Sequence, residues 1–390
     1  MDAKLARRMS QISPFYVMAL LARAKELEQF GRDIIHLEIG EPDFPTPAPI
    51  IAAGLEQIAT GQVKYTPAAG LPALREKIVA FYQTQYGVCI AKEQVFITPG
   101  ASGAFLLAFG ITLNPEESIL MADPCYPCNS NFSYLFNGQP QLIPVTAADD
   151  YQLTAAQIQS HWQAHSKGVL IASPANPTGT LIKPAVLKRA IDQTTALGGC
   201  FFSDEIYHGL VYGQQATCAL QLSQEVFVIN SFSKYFGMTG WRIGWLIVPP
   251  AFIDAAEKLA QNIFISTATA SQYAALAAFA PETLQELERR RIEFAARRDF
   301  LYQALQEIGF KIAIKPEGAF YIYANCQQFT DDSFQFAHDL LEATGVAVTP
   351  GKDFGQHNAQ HYLRFAYTTP IARLQEAVQR LQQFINGRKG

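Results

Sequence analysis

Five short apolar runs, each ending in polar residues just where another pattern begins, constrain this chain most. They are "QVFITPG" before "ASGAFLLAFGITL", "SILMADP" before a Tyr- and Asn-rich segment, "GVLIASPANPTG" before "PAVLKRAIDQTTALGG", and then "CFFSDEIY" and "EVFVINSFSK". A strand that is apolar on both faces needs cover on both sides, and strands alternating with helical patterns are βαβ units. The expected fold class is α/β: a mostly parallel sheet with helices on both faces. With 390 residues, 49% of them hydrophobic, the chain can bury a large core and is long enough for two lobes.

The texture changes near Pro281, where "ETLQELERRRIEFAARRDFLYQALQEIG" reads as one long charged helix with a glycine stop. Beyond it, "FKIAIKPEGAFYIYA" and "YLRFAYT" read as strands, and "SFQFAHDLLEATG" and "IARLQEAVQRLQQFING" as helices, a smaller α+β domain. The expected division is residues 1–44 as a segment joining the small domain, 45–281 as the large domain and 282–390 as the small one. No internal repeat, low-complexity tract or Pro-rich linker interrupts this pattern.

Thirty Lys and Arg stand against thirty-four Asp and Glu, a net charge of -4, with no basic stripe for a phosphate backbone; this argues against nucleic acid as a partner. The first residues lack a continuous apolar stretch and no segment approaches transmembrane length, so a soluble, cytoplasmic protein without membrane partners is expected. Six cysteines in so long a chain do not make a disulfide scaffold. Cys125 and Cys128 have CxxC spacing without a second pair and read as ordinary thiols. His161 and His165, like His357 and His361, stand four apart but lack the acidic residue of HExxH, so no metal site is expected.

In an open parallel sheet, ligands bind beyond the carboxyl ends of the strands, so the polar residues there come first. Gly100, Ala101, Ser102 and Gly103 open a helix whose free N–H groups suit a phosphate, although a tight turn alone also uses such glycines. Asn176 follows "GVLIAS". Asp204 follows "CFFS", with Tyr207 three residues on. An acid at the end of an apolar strand calls for a cation nearby, unless it merely caps the next helix. Lys234 follows "VFVIN" between hydroxyl donors, a placement that can lower an amine's pKa and expose its lone pair. Lysine, carboxylate, phenol, amide, phosphate nest and the further Arg242 are matched together by one small molecule, pyridoxal phosphate: an aldehyde, a protonated ring nitrogen, a phenolic oxygen and a phosphate.

With these residues assembled, the chain resembles the fold type I pyridoxal-phosphate enzymes, and among them the class I/II aminotransferases. The resemblance runs from "LEIGEPDFPTP" through "KYTPAAGLPALREKI", "ITPGASGA", "SPANPTGT", "DEIYHGLVY", "SFSKYFGMTGWRIGW", "PEGAFY" and "GVAVTPGKDFG" to "YLRFAYT". It implies that Lys234 is the Schiff-base lysine, that Asp204 partners the ring nitrogen, and that Tyr207 and Asn176 donate to the ring oxygen. Tyr126 resembles the aromatic residue stacked on the cofactor. Ala101, Ser102, Gly103, Ser231 and Arg242 would hold the phosphate, with Tyr65 reaching it from a second subunit; this implies a homodimer with shared active sites. Arg364 and Gly40 resemble the positions at the substrate's α-carboxylate, with Asn176 beside them. Two departures from relatives are the cysteines flanking Tyr126 and the Ala101-Ser102-Gly103 turn, where a lysine occurs in some.

The activity implied is transfer of an amino group from an amino acid to a 2-oxo acid by a ping-pong route, with neutral or aromatic donors expected. A β-lyase or synthase of the same fold, and an aspartate-selective aminotransferase, are the alternatives.

Overall fold

The computed structural model describes residues 4–388. Its twelve strands in chain order are β1 (Ile35–His36), β2 (Val95–Thr98), β3 (Ser118–Asp123), β4 (Gln139–Pro144), β5 (Ser166–Ala172), β6 (Cys200–Asp204), β7 (Val226–Ser231), β8 (Gly244–Ile247), β9 (Tyr321–Asn325), β10 (Val346–Ala347), β11 (Thr349–Pro350) and β12 (Tyr362–Ala366). Seven of them form one sheet in the order β2-β8-β7-β6-β5-β3-β4. It is parallel from β7 to β4, while β8 runs antiparallel to both β2 and β7. All the residues of β7 are buried, and they alternate between two cores: Val226 and Val228 on one face, Phe227 and Ile229 on the other. Phe202 stacks on Phe227 at 5.1 Å and meets Phe109 edge-on at 5.1 Å; across the sheet, Trp245 packs on Phe232 at 4.9 Å. Each such side chain contributes roughly 2 kcal/mol by leaving water, which fixes the strands whose ends carry the polar residues.

Two strands of the large sheet differ from the sequence reading. β4, "QPQLIP", is an edge strand with exposed ends, and its two prolines and alternating polarity hide it among loop signals. β8, "GWLI", is only four residues long, and its antiparallel return places it between β2 and β7, next to each.

The third core cluster gathers Leu20, Ala24 and Leu27 of the N-terminal helix Tyr16–Gln29 with residues from β9, β12 and the helices Ser333–Thr344 and Ile371–Arg388. β11, β12 and β9 form an antiparallel sheet, and β1 pairs in parallel with β10, tying the start of the chain to its last third. The helix Pro281–Ile308 begins on a proline and stops at Gly309. Its Leu287 packs with the large sheet and its Phe294, Leu301 and Leu305 with the third cluster, so one helix spans both. Of "FKIAIKPEGAFYIYA" only Tyr321 to Ala324 fall in a strand, β9; before it, Lys311 makes one bridge to Asn325 and Gly318 one to Val211, with Pro316, which has no N–H to donate, between them.

Candidate active site

Because β5, β6 and β7 are parallel and adjacent, residues just past their carboxyl ends emerge along one edge. That edge and the start of the helix Gly100–Thr112 form one wall of a cavity of about 360 Å³. Tyr321, Thr349, Asp353, Phe354 and Arg364 form the facing wall, and Phe15, Val17, Met18 and Leu21 of the N-terminal segment line it as well. Among the sequence candidates, Gly40, Ala101, Ser102, Tyr126, Asn176, Asp204, Tyr207, Lys234, Arg242 and Arg364 all line this one space.

Lys234 is half-buried, and its Nζ donates to Gly40 O at 2.6 Å. Loss of water brings the ammonium down to about 8; Glu41 opposes this, and Arg364 and Arg242 add to it. Asp204 is buried, with Oδ1 accepting from the Ile206 N–H at 3.2 Å. Burial pushes its carboxyl up to about 7, reinforced by Glu205 and offset by the Ile206 N–H and Lys234. Tyr207 is raised well above the usual phenol range, chiefly by burial, so its hydroxyl stays neutral; it shares a 2.9 Å hydrogen bond with the hydroxyl of Tyr321. Gly40 accommodates that arrangement, since a Cβ there would stand 2.4 Å from Tyr321 Oη.

Arg364 is buried on β12. Its Nη1 donates to Asn176 Oδ1 at 3.0 Å, and its Nη2 to Glu38 O at 2.7 Å and Thr349 Oγ1 at 3.2 Å. The guanidinium lies over the rings of Tyr321 and Phe354, 4.2 and 4.7 Å from their centroids, while its Nε has no hydrogen-bond partner. An uncompensated buried donor is costly, and a planar fork held in this way suits a carboxylate. At the other end, Arg242 adopts φ 52° and its guanidinium lies beside Gly100, where a Cβ would come within 2.6 Å of Nη2. The first N–H groups of the helix are left free by helix geometry, so that helix start and Arg242 together form an anion cradle.

Three candidates fall outside the cavity lining. Gly103 lies one turn into its helix, packed on Pro99. Ser231 is buried, where its hydroxyl donates to Ile243 O at 3.1 Å and accepts from the Ser233 hydroxyl at 2.9 Å; the serine that lines the cavity is Ser233. Tyr65 stands 80% exposed on another face, beside Thr269. Sequence reasoning missed Glu38, Tyr321, Asp353 and Phe354. Tyr321 and Phe354 lie inside motifs already singled out, "PEGAFY" and "GKDFG", but only the fold turns them toward Arg364. Cys125 and Cys128 are free thiols, with Cys125 pushed up to about 12 by burial. Among the described residues no group of three or more His, Cys, Asp or Glu is placed to hold a metal ion.

A phosphate cradle, a buried acid and a desolvated lysine on one sheet edge, facing an arginine with an unused donor, fit pyridoxal phosphate and an amino acid together. The family model for aminotransferase class I and II matches residues 32–381. This chain belongs to that family. Its members depend on pyridoxal phosphate, and the enzyme is an aminotransferase. It is 38% identical to the valine–pyruvate aminotransferase of Mycobacterium tuberculosis, over 96% of this chain and 97% of that one. It is 33% identical to an aspartate aminotransferase of Geobacillus stearothermophilus, over 99% of this chain and 100% of that one. A crystal structure of an aminotransferase from Mycobacterium tuberculosis superposes with a TM-score of 0.95 at 37% identity, covering 99% of this chain and all of that one. No described helix of the aminotransferase is long and apolar enough to cross a membrane.

Proposed function

We propose that this aminotransferase moves amino groups from neutral, apolar or aromatic α-amino acids to a 2-oxo acid by a ping-pong route, as a cytoplasmic homodimer. The observation that carries the choice of donor is the distribution of charge in the cavity. Its lining holds three cations, Lys234, Arg242 and Arg364, each with a role in this reading, and the rest of it includes the apolar Phe15, Val17, Met18, Leu21, Phe105 and Phe132. A donor with a second carboxylate needs a cation at its side-chain end, and the acids Glu38 and Asp353 in the lining oppose one.

Arg364, with Asn176 bonded to it, takes the donor's α-carboxylate and sets the Cα–H bond toward Lys234. Ala101, Ser102 and Arg242 would hold the phosphate of the cofactor, Tyr126 would pack on its ring, Asp204 would pair with the ring nitrogen, and Tyr207 and Asn176 would donate to the ring oxygen. Pyridoxal phosphate, when bound, supplies an aldehyde carbon for the donor's amine and a protonated ring that withdraws electrons from the donor's Cα–H bond. Lys234 acts as the base: with its pKa lowered to about 8, a useful fraction of the amine is neutral near pH 7.5, so Nζ can take the Cα proton and return it. Tyr207 stays a neutral donor, because burial resists its ionisation.

A panel of L-valine, L-leucine, L-phenylalanine and L-aspartate, each with pyruvate or 2-oxoglutarate and read by oxo-acid release, tests this reading. kcat/KM for the best apolar donor should exceed that for aspartate by about tenfold or more. A preference for aspartate would overturn it, and so would release of ammonia without any acceptor, which would mark a lyase.

A further inference from the structure

The N-terminal helix Tyr16–Gln29 begins without a cap of its own: Phe15 at the N-cap position offers no side-chain acceptor, and the first turn holds no acidic residue. The missing acceptor comes from more than 330 residues away. Asp353 Oδ1 accepts from the Tyr16 N–H at 2.7 Å, and Asp353 Oδ2 from the Val17 N–H at 2.8 Å, so both carboxylate oxygens are used on adjacent free amides. The Tyr16 ring is held beside them, edge-on to Phe334 at 5.3 Å. The helix turn fixed in this way carries Phe15, Val17, Met18 and Leu21, the apolar wall of the cavity, with Phe15 6.2 Å from the ring of Tyr126.

The next residue along is Phe354, whose ring lies 4.7 Å from the Arg364 guanidinium. One step of backbone therefore ties both ends of the cavity together: Phe354 packs on the cation for the donor's carboxylate, and Asp353 anchors the wall facing its side chain. We propose that Asp353 is a positioning residue for donor selection, setting the distance between Arg364 and the apolar wall so that large apolar side chains are favoured over small ones. This rests on the donor reading given under Proposed function. Asp353 touches no reacting atom. Its influence passes through the helix start, and it grows with the amount of donor side chain available to meet that wall.

Asp353→Asn keeps one acceptor oxygen and Asp353→Ala keeps none. With L-leucine as donor, KM should rise about tenfold in Asp353→Ala and less in Asp353→Asn, with kcat changed far less than KM; with L-alanine, KM should rise less than threefold. Loss of the same factor for both donors, or loss in kcat alone, would overturn the proposal. Hydrogen exchange gives a reading independent of turnover: the Tyr16 and Val17 amides should be protected in the wild type and lose protection in Asp353→Ala, while β7 amides keep theirs. If the wild type takes no amino group from leucine, the donor reading fails by itself, and Asp353 is then judged on these amides alone. Protection unchanged in the variant would overturn the anchor, and protection lost would uphold it.

Discussion

Asp204 and Lys234 are opposite cases of one effect, since burial penalises whichever form is charged: it raises the acid to about 7 and lowers the amine to about 8. The Asp204 shift has a consequence for stability. In the unfolded chain this carboxyl gives up its proton near pH 4, whereas the folded protein holds it to about 7. Across that interval the native state binds more protons than the unfolded one, so stability is fully present below about pH 4 and falls as pH rises to about 7. The full interval corresponds to on the order of 4 kcal/mol, an upper figure because water can enter the cavity. Asp204→Asn should remove this fall: chemical denaturation of the cofactor-free protein should show a shallower decline between pH 5 and 7 in the variant than in the wild type. Identical slopes would mean that Asp204 ionises at an ordinary pKa. With pyridoxal phosphate added, the wild type should gain more stability than the variant, because only the wild type offers the ring a carboxylate.

At the scale of elements, a residue is useful here because of where its strand or helix ends. The strands behind Asn176, Asp204 and Lys234 were legible because they are buried on both faces and leave continuous apolar runs, and the charged helix Pro281–Ile308 because its period and glycine stop are both visible. β4 and β8 were not: an edge strand with prolines and a four-residue return carry too little pattern. Nor was the exchange of Ser231 for Ser233 in the lining, which depends on which way two serines point after the strand turns. Asp353 was hidden for another reason, because its partners are backbone amides at the far end of the chain. The helix start at Gly100 gives the prediction at this scale. Its φ of 70° costs an alanine about 1–2 kcal/mol, and a Cβ there would displace the Arg242 guanidinium. Gly100→Ala should still fold, with a modest loss of Tm. Its affinity for pyridoxal phosphate, titrated by absorbance into the cofactor-free protein, should fall at least about tenfold. An unchanged affinity would show that Arg242 can move without cost and is not part of the cradle.

For the whole molecule, the surface feature that most needs a partner is the outer stripe of the helix Ala48–Ala59. Ile51, Leu55 and Ile58 stand at helical spacing and all point outward, while Ile50 and Gly54 face inward, Gly54 against Trp241 and Ala274. Exposed Val63 and Tyr65 follow directly in sequence, and such a contiguous apolar stripe marks a contact surface. Its position favours a second copy of the chain: Ile58 borders a surface recess with Glu41, Thr239 and Trp241, and Thr239 also lines the active cavity. A copy seated there would lie close to the cofactor cradle, and a twofold arrangement would let each Tyr65 reach the other's site. Leu55→Glu places a charge in the middle of the stripe, so if the proposed homodimer is seated there, sedimentation should report a dimer for the wild type and a monomer for the variant. The same variant should bind pyridoxal phosphate more weakly, by about tenfold if Tyr65 contributes one hydrogen bond to the phosphate, since a bond to a charged group is worth roughly 1.5 kcal/mol or more. Tyr65→Phe in the intact dimer separates the two effects: it should weaken the cofactor without changing sedimentation. A wild type that sediments as a monomer while holding the cofactor tightly would refute the shared site, because no second copy would then be there to bring Tyr65.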